Sequence, residues 1–356
     1  MALRIKETKT ATLHRPRRVF VTGGAGFIGS YTCRCLLKRD HHVTVFDPFI
    51  LYRDDLSCPS IYANMCLRRQ HLLANANVVR GATRNKHQTQ RSLENVAPDV
   101  VIHFGGWPIA SEQEMHSEEA FEDILVGTTN LLRSLPSTVE RFVFVSSSMV
   151  YGDFHQEPMP EDGPTNPKGM YGAMKLAAEV LTKTFCQTKG ITFSIVRPTA
   201  VYGPGDITRR VLQRFVEAAL KGDCITAFNA AYTRLDFSYV TDVADGIAKV
   251  ALSDYAANEE FNISFGEGRS LEEAIVILRE LFPCLAVEYV TTDDERMPMR
   301  GALDVAKARR LIGYRPQISL EQGLLKTVEF TEAQIRGLLQ NGDNAATNFD
   351  AARFSE

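Results

Sequence analysis

The sequence predicts an α/β protein built on a doubly wound, mostly parallel sheet, and three observations predict it. Short apolar runs rich in Val, Ile and Phe alternate with helix-like stretches through the first half of the chain. A glycine-rich loop joins the first run to the first helix-like stretch. The 356 residues are enough for one large domain of this kind and a smaller partner.

The runs are Val19–Thr22, His42–Phe46, Asn77–Val79, Val100–His103, Phe142–Ser146 and Phe193–Val196. Continuous apolar runs of this length read as strands buried on both faces. Phe27–Arg39, Glu119–Leu135 and Tyr171–Thr188 read as helices between them. Right-handed crossovers then gather the strand C-terminal ends, and any ligand, along one edge. After about Thr199 the pieces become shorter and more mixed. Helices are expected at Arg210–Lys221, Val243–Leu252 and Ser270–Leu281, and strands at Leu235–Tyr239 and Phe261–Ser264. The segment Phe49–Leu73 is longer than an ordinary connection, and such loops tend to be functional or mobile.

Composition excludes several functions. The apolar fraction of 44% is that of a globular protein, and a net charge of −3 gives no reason to expect a nucleic-acid or membrane partner. No apolar run reaches the roughly 18 residues of a membrane span. The seven cysteines are scattered without metal or disulfide spacing, so no metal is expected and reduced cysteines of a cytoplasmic protein are.

The loop reads Thr22-Gly-Gly-Ala-Gly-Phe-Ile-Gly29. Gly23, Gly26 and Gly29 supply a tight turn, room for a diphosphate at the backbone, and close packing of helix on strand. A diphosphate would sit on free N–H groups at the helix N-terminus. Asp47 closes the next strand, where a carboxylate meets the ribose 2′-OH, and no Arg or Lys follows it at once. This favours NAD over NADP. The alternative role of Asp47 is a turn or cap residue. The chain divides into an arm (1–18), an NAD-binding domain (19–198), a mainly substrate-binding domain of mixed α/β structure with some return to the sheet (199–340), and a tail (341–356).

Tyr171 and Lys175 stand at i and i+4 on an expected helix and share a face. A nearby ammonium should lower the tyrosine pKa, so that a phenolate can take a proton while a hydride leaves the same carbon. Ser147 follows the preceding strand and could share that proton. Alone, the Tyr–Lys spacing more often marks surface residues.

Together these residues resemble the extended short-chain dehydrogenase/reductase family, the nucleotide-sugar epimerases and dehydratases. The matches include the glycine loop, Asp47, Val101–His103, Ser146–Ser148 with Val150–Gly152, Tyr171–Lys175, Arg197-Pro198, Val201–Pro204, Tyr239–Asp242 and Gly313–Pro316. The resemblance implies a Rossmann sheet, bound NAD, a nucleotide-sugar substrate, commonly a UDP-sugar, and a homodimer. It implies Ser147, Tyr171 and Lys175 as the catalytic group, and Phe27, Ile28 and Pro198 beside the glycines at the cofactor. Dehydratase and decarboxylase relatives carry acids just after the serine, where this chain has Ser148 and Met149. That favours 4-epimerisation, which needs no such acid. The stretch Asp47–Leu56 resembles the insertion of uronate 4-epimerases, so UDP-glucuronate is the first choice of substrate. Ser148, Arg209, Arg234 and Arg300 are candidates to hold it. Other readings are a sugar dehydratase or decarboxylase, a net dehydrogenase, and a non-catalytic NAD sensor. Five positions depart from the family: Ala82 for the acid that meets adenine, the Gly105-Gly106 pair before Trp107, Ile124 for an Asn, and Leu235 for an Arg. Asp236, Asp242 and Asp304 are expected to cap helices or pin loops, and His103 to pack at a strand end.

Overall fold

A computed structural model describes residues 15–50, 59–106, 117–292 and 298–341. Most of the expected arm, the Tyr52 stretch, Trp107 and the tail from residue 342 lie outside them. The first elements are β1 (Arg18–Thr22), α1 (Phe27–Leu37), β2 (His42–Asp47), α2 (Pro59–Cys66), β3 (Asn77–Arg80), α3 (Lys86–Val96) and β4 (Val100–His103). Next come α4 (Ser117–Phe121), α5 (Gly127–Arg133), β5 (Arg141–Val145), α6 (Met170–Lys189), β6 (Thr192–Pro198), β7 (Val201–Tyr202), α7 (Val211–Lys221), β8 (Ile225–Phe228), β9 (Arg234–Leu235) and β10 (Ser238–Tyr239). The chain continues through α8 (Val240–Leu252), β11 (Glu259–Ile263), β12 (Arg269–Ser270), α9 (Leu271–Leu281), β13 (Val287–Val290), α10 (Ala306–Ile312) and α11 (Leu320–Asn341).

Seven strands form one sheet in the order β11-β6-β5-β4-β1-β2-β3, every neighbouring pair parallel. This is the doubly wound Rossmann sheet the sequence predicts, with its order reversing between β1 and β4. The inner strands β1, β4 and β5 are buried along nearly their whole length, as their unbroken apolar composition requires. β11 returns from the second half of the chain to pair with β6, and α8 packs its Val243, Ile247 and Val250 into the same core as β1 and α1. A separate apolar cluster joins α7, α9 and the start of α11.

Some boundaries differ from expectation for identifiable reasons. Arg18 belongs to β1 rather than to an arm: its N–H donates to Asp99 at 2.8 Å and its guanidinium pairs with the same carboxylate at 3.0 Å. Part of Phe49–Leu73 is helical, α2 running on into a wider π turn at Leu67–Leu72 whose Leu67 and Leu72 are fully buried. The strand expected over Leu235–Tyr239 splits into β9 and β10, which pair with different partners, β9 antiparallel to β12 and β10 parallel to β7, while the carboxylate of the intervening Asp236 accepts the N–H groups of Phe265, Gly266 and Leu303. Asp242 likewise takes the N–H groups of Gln317 and Ile318, and Asp304 that of Ala306, so all three acids pin loops or turns. The long helix expected over Glu119–Leu135 is interrupted by a π turn at Glu122–Val126. The β8–β13 pair joins segments far apart in sequence, which no local pattern announces.

A buried polar network ties the sheet to its flanks. Arg197 on β6 donates to both oxygens of Glu179 on α6, at 3.0 and 2.7 Å, and both side chains are almost fully buried. The same guanidinium donates to the Tyr151 hydroxyl at 3.0 Å, which donates to Asn262 on β11 at 2.8 Å. Asn262 then donates to the carbonyls of Met159 and Asp304. Removing one member leaves the other charge buried and unpaired. Glu179→Ala is expected to cost about 3–5 kcal/mol of stability by urea denaturation. A loss below about 1 kcal/mol would show that the pair does not hold α6 in place.

Candidate active site

The C-terminal ends of β1, β2, β4, β5 and β6 open on one continuous cavity of about 2220 Å³. Single small-molecule sites usually measure about 300–1,000 Å³, so this space admits two ligands side by side. Its lining runs from Gly81 and Ala82, past Asp47 and Gly23–Gly29, to Ser146–Met149, Tyr171, Lys175 and Pro198, then on to Arg209, Arg234 and Arg300.

The glycine loop fits a dinucleotide. A Cβ at residue 29 would stand 2.3 Å from the Gly23 carbonyl oxygen, so the first turn of α1 can lie on the loop only with glycine there. Phe27 and Ile28 line the cavity at the start of α1. Asp47 ends β2 nearly buried, one oxygen accepting the Ala25 N–H at 3.0 Å and the other that of Phe49 at 2.8 Å. It thus acts as a turn residue and still faces the cavity. Burial raises its pKa, while the two N–H groups and then Arg68 pull it down. The carboxylate has lone pairs to spare for ribose hydroxyls.

Ser147 caps the 3₁₀ turn Ser148–Tyr151 by accepting the Met149 N–H at 3.2 Å. Its hydroxyl is also close enough to the Tyr171 phenol to favour the ionised form of that group. Gly172 makes this approach possible: a Cβ there would lie 2.5 Å from the Met149 carbonyl oxygen, so any other residue would push α6 off the turn. Lys175 Nζ donates to the carbonyls of Val145 at 3.0 Å and Gly105 at 3.4 Å, and stands 5.9 Å from the centre of the Tyr171 ring. The Tyr, Lys and Ser are therefore brought together. The expected effect of Lys175 on Tyr171 is corrected. The tyrosine pKa is raised by burial, and what pulls it back is Arg210 and then Ser147. Lys175 is itself pushed down to about 8 by burial, against the pull of Glu179.

The candidate substrate residues separate. Arg209 is held by Glu217, with Nε 2.8 Å and Nη2 2.7 Å from one oxygen. Arg234 donates to the Gly268 carbonyl at 2.6 Å and lies 3.6 Å from Glu157. Leu235, in place of the family's Arg, is packed into the apolar cluster of α7 and α9. No carboxylate holds Arg300 among the described residues: burial brings its pKa down to about 10, and its Nε has no hydrogen-bond partner. Ser146 and Ser148 also present buried hydroxyls without partners on the cavity wall. Arg68 and Arg210, which no local motif singles out, lie against the ring of Phe27, each 5.9 Å from its centre.

The departures have packing reasons. A Cβ at residue 105 would stand 2.0 Å from the imidazole of His103, so Gly105 is matched to that ring. Ile124 is fully buried and faces Gly106. No acid stands at Ala82, and its N–H is taken by Gln88 at 3.3 Å.

Residues 19–264 match the model of the NAD dependent epimerase/dehydratase family. The chain belongs to that family. Similar curated proteins include an uncharacterised UDP-glucose epimerase of Bacillus subtilis, 27% identical over 90% of this chain and 99% of that protein. UDP-glucuronic acid decarboxylase 2 of Arabidopsis thaliana is 28% identical over 92% of this chain and 71% of its own length. Among solved structures, UDP-glucose 4-epimerase of Thermotoga maritima superposes with a TM-score of 0.79 at 25% identity, covering 89% of this chain and 99% of that one. UDP-glucuronic acid 4-epimerase of Bacillus cereus, solved with UDP-glucuronic acid and NAD, gives 0.78 at 25% identity over 88% and 98%. This epimerase/dehydratase thus belongs to an NAD-dependent family, in keeping with Asp47 and its glycine loop. No described helix is long and apolar enough to cross a membrane, and no three described His, Cys, Asp or Glu side chains gather to hold a metal.

His103 is fully buried between the hydroxyls of Thr22 at 2.5 Å and Thr128 at 3.0 Å. Burial and Lys175 push its pKa down to about 3. The unfolded chain then binds a proton near pH 6.5 that the folded chain refuses, so His103 makes stability fall as pH drops from about 6.5 towards 3. His103→Asn is expected to flatten this limb in denaturation midpoints measured across that range. An unchanged slope would place the acid sensitivity elsewhere.

Proposed function

We propose that this family member is an NAD-dependent 4-epimerase of a UDP-sugar, with UDP-glucuronate as substrate and UDP-galacturonate as product. The observation that carries the reading is the wall after Ser147. The hydroxyl pair of Ser147 and Tyr171 is intact, yet the next two side chains are Ser148 and Met149. Elimination of water or loss of CO2 calls for an acid or base there. Epimerisation calls for a proton acceptor at the sugar O4 and a donor of the same proton afterwards.

In this reading NAD along the glycine loop supplies hydride acceptance and return at C4. Tyr171 takes the O4 proton and gives it back, and Ser147 holds the oxygen by hydrogen bond. Lys175 cannot serve as the base for Tyr171 while its Nζ donates to two carbonyls; it holds the nicotinamide ribose side of the cavity and adds positive charge. Arg300, a buried guanidinium with no described carboxylate partner, binds the anionic part of the substrate. Ser148 adds a hydroxyl donor for the sugar. Arg209, paired with Glu217, and Arg234, 3.6 Å from Glu157, serve the cavity wall. The reading includes a homodimer, which sedimentation equilibrium tests.

Likeness to UDP-glucuronic acid decarboxylases supports a second reading, decarboxylation of the same substrate. One incubation separates the two. Purified protein given UDP-glucuronate and NAD is expected to yield UDP-galacturonate by NMR, without net NADH. Release of CO2 with a UDP-pentose selects the second reading and sinks the first. Tyr171→Phe is expected to lower turnover about 10²- to 10⁴-fold. Arg300→Gln is expected to raise the substrate KM about tenfold or more while the protein retains its NAD affinity. A full-turnover Tyr171→Phe variant would remove the tyrosine from the chemistry.

A further inference from the structure

Arg68 is contributed by the segment between β2 and β3, after α2, and its side chain crosses to the glycine loop. Its Nε donates to the Gly205 carbonyl at 3.0 Å, Nη2 donates to the same oxygen, and Nη1 reaches the Ala25 carbonyl at 3.4 Å. A guanidinium has five N–H groups, and these bonds use three. Among the described residues no carboxylate lies within ion-pair distance of it, although Asp206 and Asp47 are near enough to favour its charge. The group is 6% exposed and lines the cavity. A buried guanidinium that holds only carbonyls carries a charge in need of an anion.

The fold says which anion. The strand order puts Asp47 on the β2 side of the glycine loop and Tyr171 on the β5 side. A dinucleotide laid between them has its diphosphate at the start of α1, where Phe27 stands. Arg68 and Arg210 both lie against the Phe27 ring, and Arg210 is paired with Asp206 at 3.3 Å. Of the two, Arg68 is the one without an ion-pair partner among the described residues. It also touches Ala25, whose N–H holds Asp47 at 3.0 Å, and so couples the diphosphate position to the ribose acid.

We infer that Arg68 is a diphosphate-binding residue for the dinucleotide, supplied by the segment after β2 and bridging the glycine loop to the Gly205 turn. The inference rests on the NAD reading. It gives the cofactor a charged contact at its centre, in a chain with no acid at Ala82 to hold the adenine.

The test uses full-length protein freed of nucleotide, with NAD, ADP-ribose and adenosine as probes, followed by calorimetry and, for adenosine, saturation-transfer NMR. Wild type should bind NAD and ADP-ribose. Arg68→Gln should weaken both by about ten- to a hundredfold and leave adenosine unchanged, since adenosine brings base and ribose but no phosphate. The salt dependence of NAD binding should become shallower, and Arg68→Lys should recover part of the loss. Equal loss for adenosine would show that Arg68 only shapes the loop, and unchanged ADP-ribose affinity would show that it does not reach the diphosphate; either result overturns the inference and leaves NAD as cofactor. A wild-type protein that binds no NAD would overturn both.

Discussion

The ion pair between Glu179 and Arg197 is the contact on which the rest of the site depends. Glu179 lies four residues after Lys175, which lies four after Tyr171, so one face of α6 carries all three. Clamping the last of them to β6 fixes the rotation and depth of the helix. Lys175 then meets the carbonyl end of β5, and Tyr171 meets Ser147. The clamp reaches further, because Arg197 also holds Tyr151, and Tyr151 holds Asn262 on β11. The turn bearing Ser147, the helix bearing Tyr171 and the strand that returns from the second half share one network.

Electrostatics divides the cavity. Around the glycine loop, carboxylates and guanidiniums alternate: Asp47, Arg68, Asp206, Arg210. Near Tyr171, burial dominates and drives the tyrosine up and Lys175 down. A base in such a place gains its basicity from its surroundings and needs a nearby hydroxyl to share the proton. At the far end no carboxylate among the described residues holds Arg300, whereas Arg209 and Arg234 are already paired. An arginine in the sequence says nothing about whether its charge is spoken for.

Local patterns made much of this legible. The strands showed because strands buried on both faces must be apolar throughout, which leaves a mark in any short window. The glycine loop showed because backbone geometry permits no other residue at its close contacts. Tyr171 and Lys175 showed through helical spacing. Arg68 stayed hidden, since its partners Ala25 and Gly205 are distant in sequence and are backbone carbonyls, which have no residue signature. The pairing of β8 with β13 and the role of Asp236 were hidden for the same reason. The Gly105 departure became intelligible once the ring of His103 was seen in the space a side chain would fill.

The sequence by itself determined the doubly wound sheet, the cofactor loop with Asp47, and the residues able to do the chemistry. Each of these rests on local stereochemistry or periodicity, which a chain expresses wherever it folds. Tertiary structure alone decided which charges are free. Among the described residues it left Arg300 and Arg68 without an ion-pair partner, paired Arg209 with Glu217 and brought Arg234 to Glu157, and made burial rather than Lys175 the main influence on Tyr171. Charge balance depends on distances of a few ångströms between residues far apart along the chain, and no window of sequence contains them.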